Sequence, residues 1–533
     1  MWSRAPIALR LARAAVPCAA LTLWPQRRGG DGRARLDGFG GDRAVHFDFD
    51  AVVVGGGVCG LCAALALRRA QYTVLLLERE AVGAETQASS INCGFCFVAD
   101  ADPSEAAPDA LDGALAAASR DIYRDLAAAG HDLEYRECGM LAVAATDAEM
   151  ALARTFGHRR PAQVLGGGAA AEGPDDDNDN DNDDLPALAR QQRHHPEACV
   201  LLTAAEALAV EPALGSVSGA VLYPRALSVH PHKAVLALRA EAVRAGVVVR
   251  EGTEAVAVAR DGAQSWAVAS RALEGRLDDA GAALPPVRTK AVVLANGGWV
   301  PHLAGGALAS LDAADATPAP GVPVLGVVPV LANMFATAPD GGGADAGLRH
   351  MVYALESEAA WAGPAGEGDG HANPPHVTHR RAGPGFGQWA PRSARHLYGK
   401  RTHDGRYLFG GDRRVHPAHR PGLVHSVPRP ADAGANTAVC RAHAAEVVPC
   451  VAELPVEREW AGIMPFSLDG VPTLGRVANG LYVATGLGGS GMKRGPAAGR
   501  LVGLMAAEDL GHGTCARPPK WLERADPKRW LRG

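Results

Sequence analysis

The chain has 533 residues, of which 47% are hydrophobic and 21% are charged, and its formal net charge is −5. This length and composition are typical of two or three globular domains with sizeable cores. The mild acidity excludes the basic surface that nucleic-acid binding requires, and no apolar run reaches the ~18 residues of a transmembrane helix. We therefore expect a small molecule or another protein as the partner; the sequence does not indicate an oligomeric state.

The first 30 residues differ from the rest because they contain five arginines and no acidic residue. Arginines spaced among alanine and leucine predict a mitochondrial transit peptide within an N-terminal extension over residues 1–45. A secretory signal is disfavoured because Arg10 and Arg13 interrupt the apolar stretch. A disordered extension of a cytoplasmic protein and a misplaced start codon stay open as alternatives.

The ten cysteines do not form the pattern of a disulfide framework. Two pairs have C-x-x-C spacing, Cys59 with Cys62 and Cys93 with Cys96, which occurs in zinc sites and redox dithiols. Cys59 and Cys62 fall inside the nucleotide-binding motif described next, which favours small packing residues. We predict no metal site.

Residues 48–78 predict a strand, a glycine turn, a helix and a second strand, which is the βαβ unit of a dinucleotide-binding sheet. Gly55, Gly57 and Gly60 have the spacing G-x-G-x-x-G, which permits a tight turn, close approach of the backbone to a pyrophosphate, and close packing of helix on strand. Glu78 ends the second strand, where its carboxylate can accept a hydrogen bond from a ribose hydroxyl. Together these residues predict a dinucleotide site.

Further elements are predicted by apolar periodicity in the second half of the chain. They are a helix over 231–245, strands over 246–258, 289–295 and 481–485, and a closing helix over 496–510. Asn296, Gly297 and Gly298 follow one of these strands and offer a second place where bare backbone can approach a ligand.

Lys493 and Arg494 lie between the glycine-rich turn 486–491 and the predicted closing helix. The N-terminus of a helix carries partial positive charge, so two cations beside it need a nearby anion. The sequence does not identify this anion.

Two segments predict irregular insertions. Residues 158–195 contain a Gly/Ala stretch and then an Asp/Asn tract, which cannot bury enough apolar surface to fold. Residues 363–388 are rich in glycine, proline and histidine, but His371, His376 and His379 match no clear metal-ligand spacing. A solvated loop is favoured there.

The nucleotide-binding elements fall at the beginning, middle and end of the chain, so we predict an α/β fold with a discontinuous nucleotide-binding domain and a second, sheet-rich domain. The first domain takes residues 46–105, 226–305 and 456–512, the second takes 106–225 and 306–455, and a C-terminal tail takes 513–533.

An ordered series of motifs runs through most of residues 48–510: VVVGGGVCGL, ETQASSINCGF, GAVLYPRALSVHPHK, VVLANGGW, DGRYLFGG, WAGIMPFSLDGVPTLG and LYVATGLGGSGMKRGPAAGRL. Each motif alone is loose, but the series is specific. With it the chain resembles the D-amino-acid oxidase superfamily of FAD-dependent oxidoreductases, in the branch of glycine oxidase, sarcosine oxidase and D-amino-acid dehydrogenase.

The resemblance implies a Rossmann-like FAD-binding domain with a glutathione-reductase-like parallel sheet, and an α+β substrate domain with a mixed or antiparallel sheet. It places the pyrophosphate of FAD on the Gly55–Gly60 turn, the adenosine ribose on Glu78, and the flavin beside the turn that ends in Lys493. The cofactor-binding positions that it implies are Gly55, Gly57, Gly60, Glu78, Arg79, Thr86, Ser89, Ser90, Asn92, Val256, Asn296, Gly297, Gly486, Gly489, Ser490, Gly491, Met492 and Lys493.

The resemblance also bears on how FAD is attached. Monomeric sarcosine oxidases use a cysteine near the segment that matches residues 461–465, where this chain has none. Dimethylglycine and sarcosine dehydrogenases use a histidine close to the position of Asn92. Non-covalent FAD is therefore predicted, although Cys93 is a near neighbour.

In this family a hydride passes from a C–H next to nitrogen or oxygen to flavin N5, and an amine substrate leaves an imine that water hydrolyses. Glycine-oxidase-like members bind the substrate carboxylate with arginines at positions that are Met464 and about Gly489 here. Sarcosine-oxidase-like members use a lysine that matches Lys493. Lys493 is therefore the predicted catalytic residue, and Arg494 is expected to point away into a surface ion pair.

The leading hypothesis is an enzyme that oxidises the C–N bond of a small amino or N-methylamino acid and passes electrons to O2, a quinone or another electron-transfer acceptor. The second is a 2-hydroxy-acid dehydrogenase, which needs a base for the alcohol proton; His230 and His232 are the candidates. The third is a catalytically weak flavoprotein that acts in respiratory-complex assembly, as the missing arginines and the predicted transit peptide suggest.

Overall fold

The computed structural model describes residues 47–96, 110–155, 199–273, 281–311, 324–342, 347–355, 397–415, 434–512 and 520–531. The predicted N-terminal extension over 1–45 and the predicted insertions over 158–195 and 363–388 lie outside the described residues.

Within these ranges the chain forms two large sheets, a short two-stranded ribbon and the helices that cover them. The strands are β1 Phe49–Val54, β2 Val74–Leu77, β3 Phe95–Cys96, β4 Met140–Ala144, β5 Val200–Thr203, β6 Gly219–Tyr223, β7 Leu227–Ser228, β8 Val248–Arg250, β9 Thr253–Arg260, β10 Trp266–Ala272, β11 Ala282–Leu294, β12 Val327–Thr337, β13 Met351–Ala354, β14 Leu397–Arg401, β15 Tyr407–Val415, β16 Val456–Ser467, β17 Thr473–Ala478 and β18 Leu481–Thr485. The α-helices are α1 Val58–Arg69, α2 Ala110–Ala128, α3 Asp147–Thr155, α4 Ala204–Val210, α5 Pro231–Ala245, α6 Val300–Ala309, α7 Gly434–Val447 and α8 Gly491–His512.

The first sheet has a parallel centre, in the order β17-β18-β11-β1-β2-β8. β17 joins β18 in antiparallel orientation, and β9 and β10 continue from β11 as an antiparallel meander. Both faces are covered, because Ala51 and Val53 of β1 pack with α1, α5 and α8, whereas Val52 and Val54 pack with α6. The carboxyl ends of β1 and β11 open into the cavity described below.

The second sheet is mixed, in the order β16-β12-β15-β14-β13-β4-β6-β5. β4 and β13 are parallel and the remaining pairs are antiparallel. On one face Phe335 and Phe409 pack with α7, in the same core as Cys440 and Val447. The other face is turned towards the cavity.

The β3–β7 ribbon belongs to both cores. Cys96 and Leu227 pack in the core of the first sheet, whereas Phe95 packs against Tyr398 of the second sheet. The expected fold class, a parallel nucleotide-binding sheet with a separate mixed sheet, is confirmed.

Some of the predicted helices and strands have the bounds that the structure shows, and others do not. The helix over 231–245 and the strand over 481–485 are confirmed. The single strand predicted over 246–258 is wrong: it is divided into β8 and β9 at Gly252, whose φ of +63° turns the chain out of the parallel sheet. The strand predicted over 289–295 starts earlier, at Ala282, because its first half pairs with β10.

The closing helix also starts earlier than predicted, at Gly491 instead of Pro496. Pro496 has no N–H to donate to the carbonyl of Met492 one turn earlier. That carbonyl accepts a hydrogen bond of 3.0 Å from the Tyr123 hydroxyl of α2 instead, so proline is accommodated inside α8. None of the described helices combines the length and apolarity that a bilayer span requires.

Candidate active site

A glycine turn connects β1 to α1 at the floor of the cavity. A Cβ atom on Gly60 would lie 1.8 Å from the Gly55 carbonyl oxygen, so α1 can approach this turn only with glycine there. Gly57 is the N-cap of α1 and has no capping side chain, and the first turn of the helix contains no acidic residue. The positive end of α1 is therefore available to an anion in the cavity.

Glu78 lies at the end of β2 beside this turn. One carboxylate oxygen accepts a hydrogen bond of 2.6 Å from Gly56 N and the other accepts one of 3.0 Å from Glu80 N. Burial raises the pKa of Glu78, while these two hydrogen bonds and the Arg79 charge oppose the rise. The carboxylate is held in one orientation at the cavity wall, as a ribose acceptor needs to be.

We expect Glu78→Gln to raise the Kd for FAD about 10-fold to 100-fold, because hydrogen bonds to a charged group contribute ~1.5–3 kcal/mol. A glutamine amide also places a donor where one of the two backbone N–H groups needs an acceptor. The measurement is a fluorescence titration of the apoprotein with FAD. Glu453→Gln, on an exposed turn, is the matched control, and equal affinities in the two variants would contradict a ribose at Glu78.

The nucleotide end of the cavity is lined by Arg79 and Trp299, with the Arg79 guanidinium 5.1 Å from the centroid of the Trp299 ring. β9 contributes Thr253 and Glu254 to the same wall. Val256, the predicted contact on this strand, is 37% exposed and lies farther along it.

The loop after β2 crosses the cavity and is fixed by its own side chains. Asn92 donates to Ala88 O and accepts from Gly94 N, both at 2.7 Å. Ser89 Oγ accepts from Val58 N at 3.3 Å, which joins the loop to the start of α1. The loop is therefore ordered by contacts that leave its cavity side open to a ligand.

Two buried polar atoms in this region have no partner among the described residues, Asn296 Oδ1 and Ser90 Oγ. Asn296 lines the cavity, at the carboxyl end of β11. Buried polar atoms are nearly always hydrogen-bonded, so an unpartnered acceptor here fits a polar ligand. The uncapped α1, the fixed Glu78 carboxylate and this acceptor match the pyrophosphate, ribose and ring system of FAD.

The anion beside Lys493 and Arg494 is Asp112 of α2. Lys493 Nζ lies 2.8 Å from Asp112 Oδ2, and Arg494 Nε contacts Asp112 Oδ1. Both cations are only 2% exposed. The expected surface ion pair of Arg494 is therefore wrong, because both cations turn inward to one carboxylate on a neighbouring helix.

α2 also holds the first turns of α8 through neutral groups. The Tyr123 hydroxyl donates to Met492 O, and Ala497 N donates to Ser119 Oγ at 3.1 Å. Gly491, Met492 and Lys493 line the cavity. The cavity-lining end of α8 is thus positioned by a buried ion pair and two hydrogen bonds from one helix.

A single row across the second sheet forms the opposite wall of the cavity. Met334 pairs with Gly410, Gly410 with Tyr398, and Tyr398 with Tyr353. A Cβ atom on Gly410 would lie within 2.7 Å of the Tyr398 ring and hydroxyl, so glycine leaves the space that this ring occupies. Phe95 meets the Tyr398 ring edge-on, with 6.4 Å between centroids.

β16 completes this wall with Ile463, Met464 and Pro465. Met464 stands where glycine-oxidase-like relatives carry an arginine, and the described parts of β12 to β16 bring no arginine or lysine to the cavity. The wall is aromatic and apolar, with two phenol groups as its polar functions.

The predicted residues fall into three groups by position, the third of which is Ser90, which is buried outside the cavity lining, and Val256, which is exposed on β9. Those that line the cavity are Gly55, Gly57, Glu78, Arg79, Thr86, Ser89, Asn92, Asn296, Gly297, Gly489, Ser490, Gly491, Met492 and Lys493. Behind the wall, Gly60 packs on Gly55 and Gly486 packs on Ser467 and Thr473. The sequence did not predict Trp299, Tyr353, Tyr398 and Asp112 as site residues, because a single aromatic or acidic residue does not by itself indicate a site.

The other candidate groups have structural roles. His230 Nδ1 accepts from Lys233 N at the start of α5, and His232 Nδ1 lies 2.8 Å from Gly83 O; neither residue lines the cavity. Cys59 and Cys62 are free thiols buried in α1, and burial raises both of their pKa values, that of Cys62 to about 12. No cluster of metal-ligating side chains occurs in the described ranges.

Comparison with known proteins gives a family match and several similar structures. The sequence model of the family DAO, FAD dependent oxidoreductase, matches residues 50–504. Glycine oxidase from Geobacillus kaustophilus is 21% identical, with a TM-score of 0.59 over 90% of this chain and 98% of that one. L-proline dehydrogenase from P. horikoshii is 17% identical, with a TM-score of 0.59 over 90% and 97%.

A third similar structure is L-alpha-glycerophosphate oxidase from Mycoplasma pneumoniae with FAD bound, which is 15% identical, with a TM-score of 0.57 over 89% of this chain and 97% of that one. At these identities the likeness shows the fold. No curated protein matches the chain by sequence.

Proposed function

Because the chain belongs to the DAO family of FAD-dependent oxidoreductases, it is a flavoenzyme, and we propose that it oxidises the C–N bond of a small amino or N-methylamino acid. The observation that carries the proposal is one continuous cavity from the Gly55 turn, past Asn92, to the Tyr353 and Tyr398 pair. FAD bound along its nucleotide end supplies the hydride acceptor. The aromatic wall then holds the substrate.

The cofactor is proposed to be non-covalent. Cys93 lines the cavity beside Asn92, but burial raises the pKa of this thiol to about 12. The thiol is therefore protonated at neutral pH, and a thiol is a far weaker nucleophile than a thiolate. Acid precipitation that leaves all of the flavin in the supernatant supports this proposal, and flavin that stays with the protein contradicts it.

The substrate carboxylate is proposed to lie between Lys493 and the two phenol groups. The Lys493 ammonium lies 2.8 Å from Asp112, so Asp112 already partly neutralises the charge that the substrate carboxylate would meet. Tyr353 and Tyr398 supply hydroxyl groups on the facing wall. A strong general base is not needed if the substrate amine binds in its neutral form.

The test is an anaerobic screen of amino, N-methylamino and 2-hydroxy acids against the holoenzyme, with flavin absorbance as the signal. Bleaching by an amino or N-methylamino acid supports the proposal. Bleaching by 2-hydroxy acids alone supports the alternative dehydrogenase, for which His230 and His232 do not supply the predicted base. Bound yellow flavin that no acid bleaches supports a weak flavoprotein with a role in respiratory-complex assembly. Reoxidation by O2 or by a quinone then identifies the acceptor.

We expect Gly410→Ala to raise the substrate KM about tenfold, because the added methyl group displaces the Tyr398 ring from the wall. FAD affinity is expected to be unchanged, since Gly410 lies on the second sheet, away from the nucleotide end. Steady-state kinetics and FAD titration measure the two quantities. Gly306→Ala, where a Cβ atom meets nothing within 4 Å, is the control, and an unchanged KM in Gly410→Ala would contradict a substrate at Tyr398.

The mitochondrial location is also a proposal, and it is supported by the arginine-rich first 30 residues without acidic side chains. Fusion of residues 1–45 to a reporter is expected to direct it into mitochondria. A reporter that stays in the cytoplasm would contradict the transit peptide.

A further inference from the structure

Lys400 is a buried lysine beside Tyr398 of the aromatic wall. It lies on β14 two residues after Tyr398, so the two side chains leave the same face of the strand. Lys400 is 7% exposed, and its Nζ donates to Ser228 Oγ at 2.6 Å and to Val229 O at 2.9 Å. These acceptors lie in and directly after β7, so the contact joins the second sheet to the β3–β7 ribbon.

Both of these acceptors are neutral, and no carboxylate of the described residues lies within ion-pair distance of Lys400 Nζ. Burial lowers the pKa of Lys400 to about 8. The titratable and charged groups that surround it are Cys93, Cys138, Glu134, Arg136 and His230. A buried charge without a close counter-ion costs stability, and an apolar residue would fill this position at lower cost. Residues kept at such a cost are candidates for function.

The ribbon that Lys400 holds carries part of the cavity wall. Phe95 pairs with Ser228 across the ribbon, and its ring meets Tyr398 edge-on. Cys93, just before β3, also lines the cavity. The ammonium group of Lys400 therefore joins two sides of the wall. Tyr398 lies on the same strand as Lys400, and Phe95 pairs with Ser228, which accepts a hydrogen bond from Lys400.

We propose that Lys400 is a positioning residue whose ammonium group holds Phe95 and Tyr398 together in the substrate wall, so that substrate binding weakens when the amine loses its proton. A charged donor makes stronger hydrogen bonds than a neutral amine. The proton also places a positive charge beside the wall that faces a substrate carboxylate. The substrate in this inference rests on the proposed function, whereas the role of Lys400 in the wall rests on the geometry alone.

The kinetic test uses the holoenzyme and the acid that bleaches its flavin. Relative to Lys400→Arg, which stays charged up to pH 10, the wild-type KM is expected to rise about tenfold above pH 8 with little change in kcat; titration of the substrate amine cancels from this ratio. Lys400→Met is expected to have about ten times the KM of Lys400→Arg at every pH. A Lys400→Met enzyme with the wild-type KM and pH profile would overturn the proposal, as would equal defects in the Met and Arg variants.

A second measurement does not depend on activity. The near-ultraviolet circular dichroism of tyrosine in the apoprotein is expected to change with a midpoint near pH 8 in the wild type. The change should be absent in Lys400→Met and in Tyr398→Phe, which removes the reporting phenol. If no substrate is found, this signal still tests the proposal. A pH-dependent change that persists in Lys400→Met overturns the proposal. A change that is lost only in Lys400→Met and in Tyr398→Phe supports it.

The same lysine gives a stability prediction with a defined sign. The folded-state pKa of Lys400 lies below the unfolded value of ~10.4, so between about pH 8 and pH 10.4 the native state binds fewer protons than the unfolded state. The free energy of unfolding of the wild type should therefore rise with pH in this window, relative to Lys400→Met. Denaturant titrations at pH 7 and pH 9.5 measure the difference, and no relative rise would contradict a buried ammonium.

Discussion

Gly60→Ala is expected to raise the Kd for FAD more than about 100-fold and to destabilise the protein by several kcal/mol. The added Cβ atom would lie 1.8 Å from the carbonyl oxygen of Gly55, in the backbone of the turn itself. No side-chain rotation relieves that contact, so α1 must move away from β1. Its N-terminus, which is the proposed pyrophosphate site, then moves with it.

Gly113→Ala is a matched control, because a Cβ atom there, in the first turn of α2, meets nothing within 4 Å. This control is expected to bind FAD normally and to be more stable by ~0.5–1 kcal/mol, since alanine is the better helix former. FAD titration and denaturant unfolding measure both variants. A Gly60→Ala protein with normal FAD affinity would show that the pyrophosphate does not lie on this turn.

The parts of the fold that sequence predicts correctly are those built from neighbours in the chain. The spacing of Gly55, Gly57 and Gly60 encodes the turn, because Gly55 adopts a φ of +106° and Gly60 packs on the Gly55 carbonyl within the same βαβ unit. The helix over 231–245 and the strand over 481–485 are likewise set by local periodicity. Such features require no knowledge of distant partners.

The parts that sequence misses depend on partners far away in the chain. β11 is longer than its apolar stretch because its exposed half pairs with β10, and α8 starts early because Tyr123 supplies the hydrogen bond that Pro496 cannot. The Tyr353 and Tyr398 pair exists only once the register of β13 and β14 is known. Periodicity within one strand cannot supply that register.

Asp112 shows the same limit for charge. The sequence required an anion beside Lys493 and Arg494, but it offers 58 acidic residues, and the one that serves lies on α2. Its position inside the fold, between two helix N-terminal turns, is what makes it the partner. Electrostatics alone predicts that a counter-ion is needed, and packing decides which one it is.

Lys493→Met is expected to raise the KM of a carboxylate substrate about 10-fold to 100-fold and to slow flavin reduction, because an ammonium–carboxylate contact contributes ~1.5–3 kcal/mol. Lys493 lines the cavity, whereas Arg494 does not, although both contact Asp112. Arg494→Met is therefore the matched control. It removes a cation from the same ion pair and should leave KM unchanged.

Asp112→Asn separates a direct role of Lys493 from a structural one. Loss of the carboxylate breaks a buried ion pair, for which we expect the free energy of unfolding to fall by ~3–5 kcal/mol. Lys493 keeps its charge in this variant and no longer shares it with Asp112, so KM should fall or stay constant while stability drops. Rapid-reaction flavin reduction and denaturant unfolding measure the two effects.

The different KM responses of Lys493→Met and Asp112→Asn distinguish the two roles of Lys493. If Lys493 binds the substrate, removal of its ammonium weakens binding, and removal of its competitor Asp112 does not. If the ion pair serves only to hold α8 against α2, the Lys493, Arg494 and Asp112 variants should all raise KM in proportion to their loss of stability. That second pattern would assign the carboxylate to Tyr353 and Tyr398 alone, because these hydroxyl groups are the polar functions of the facing wall.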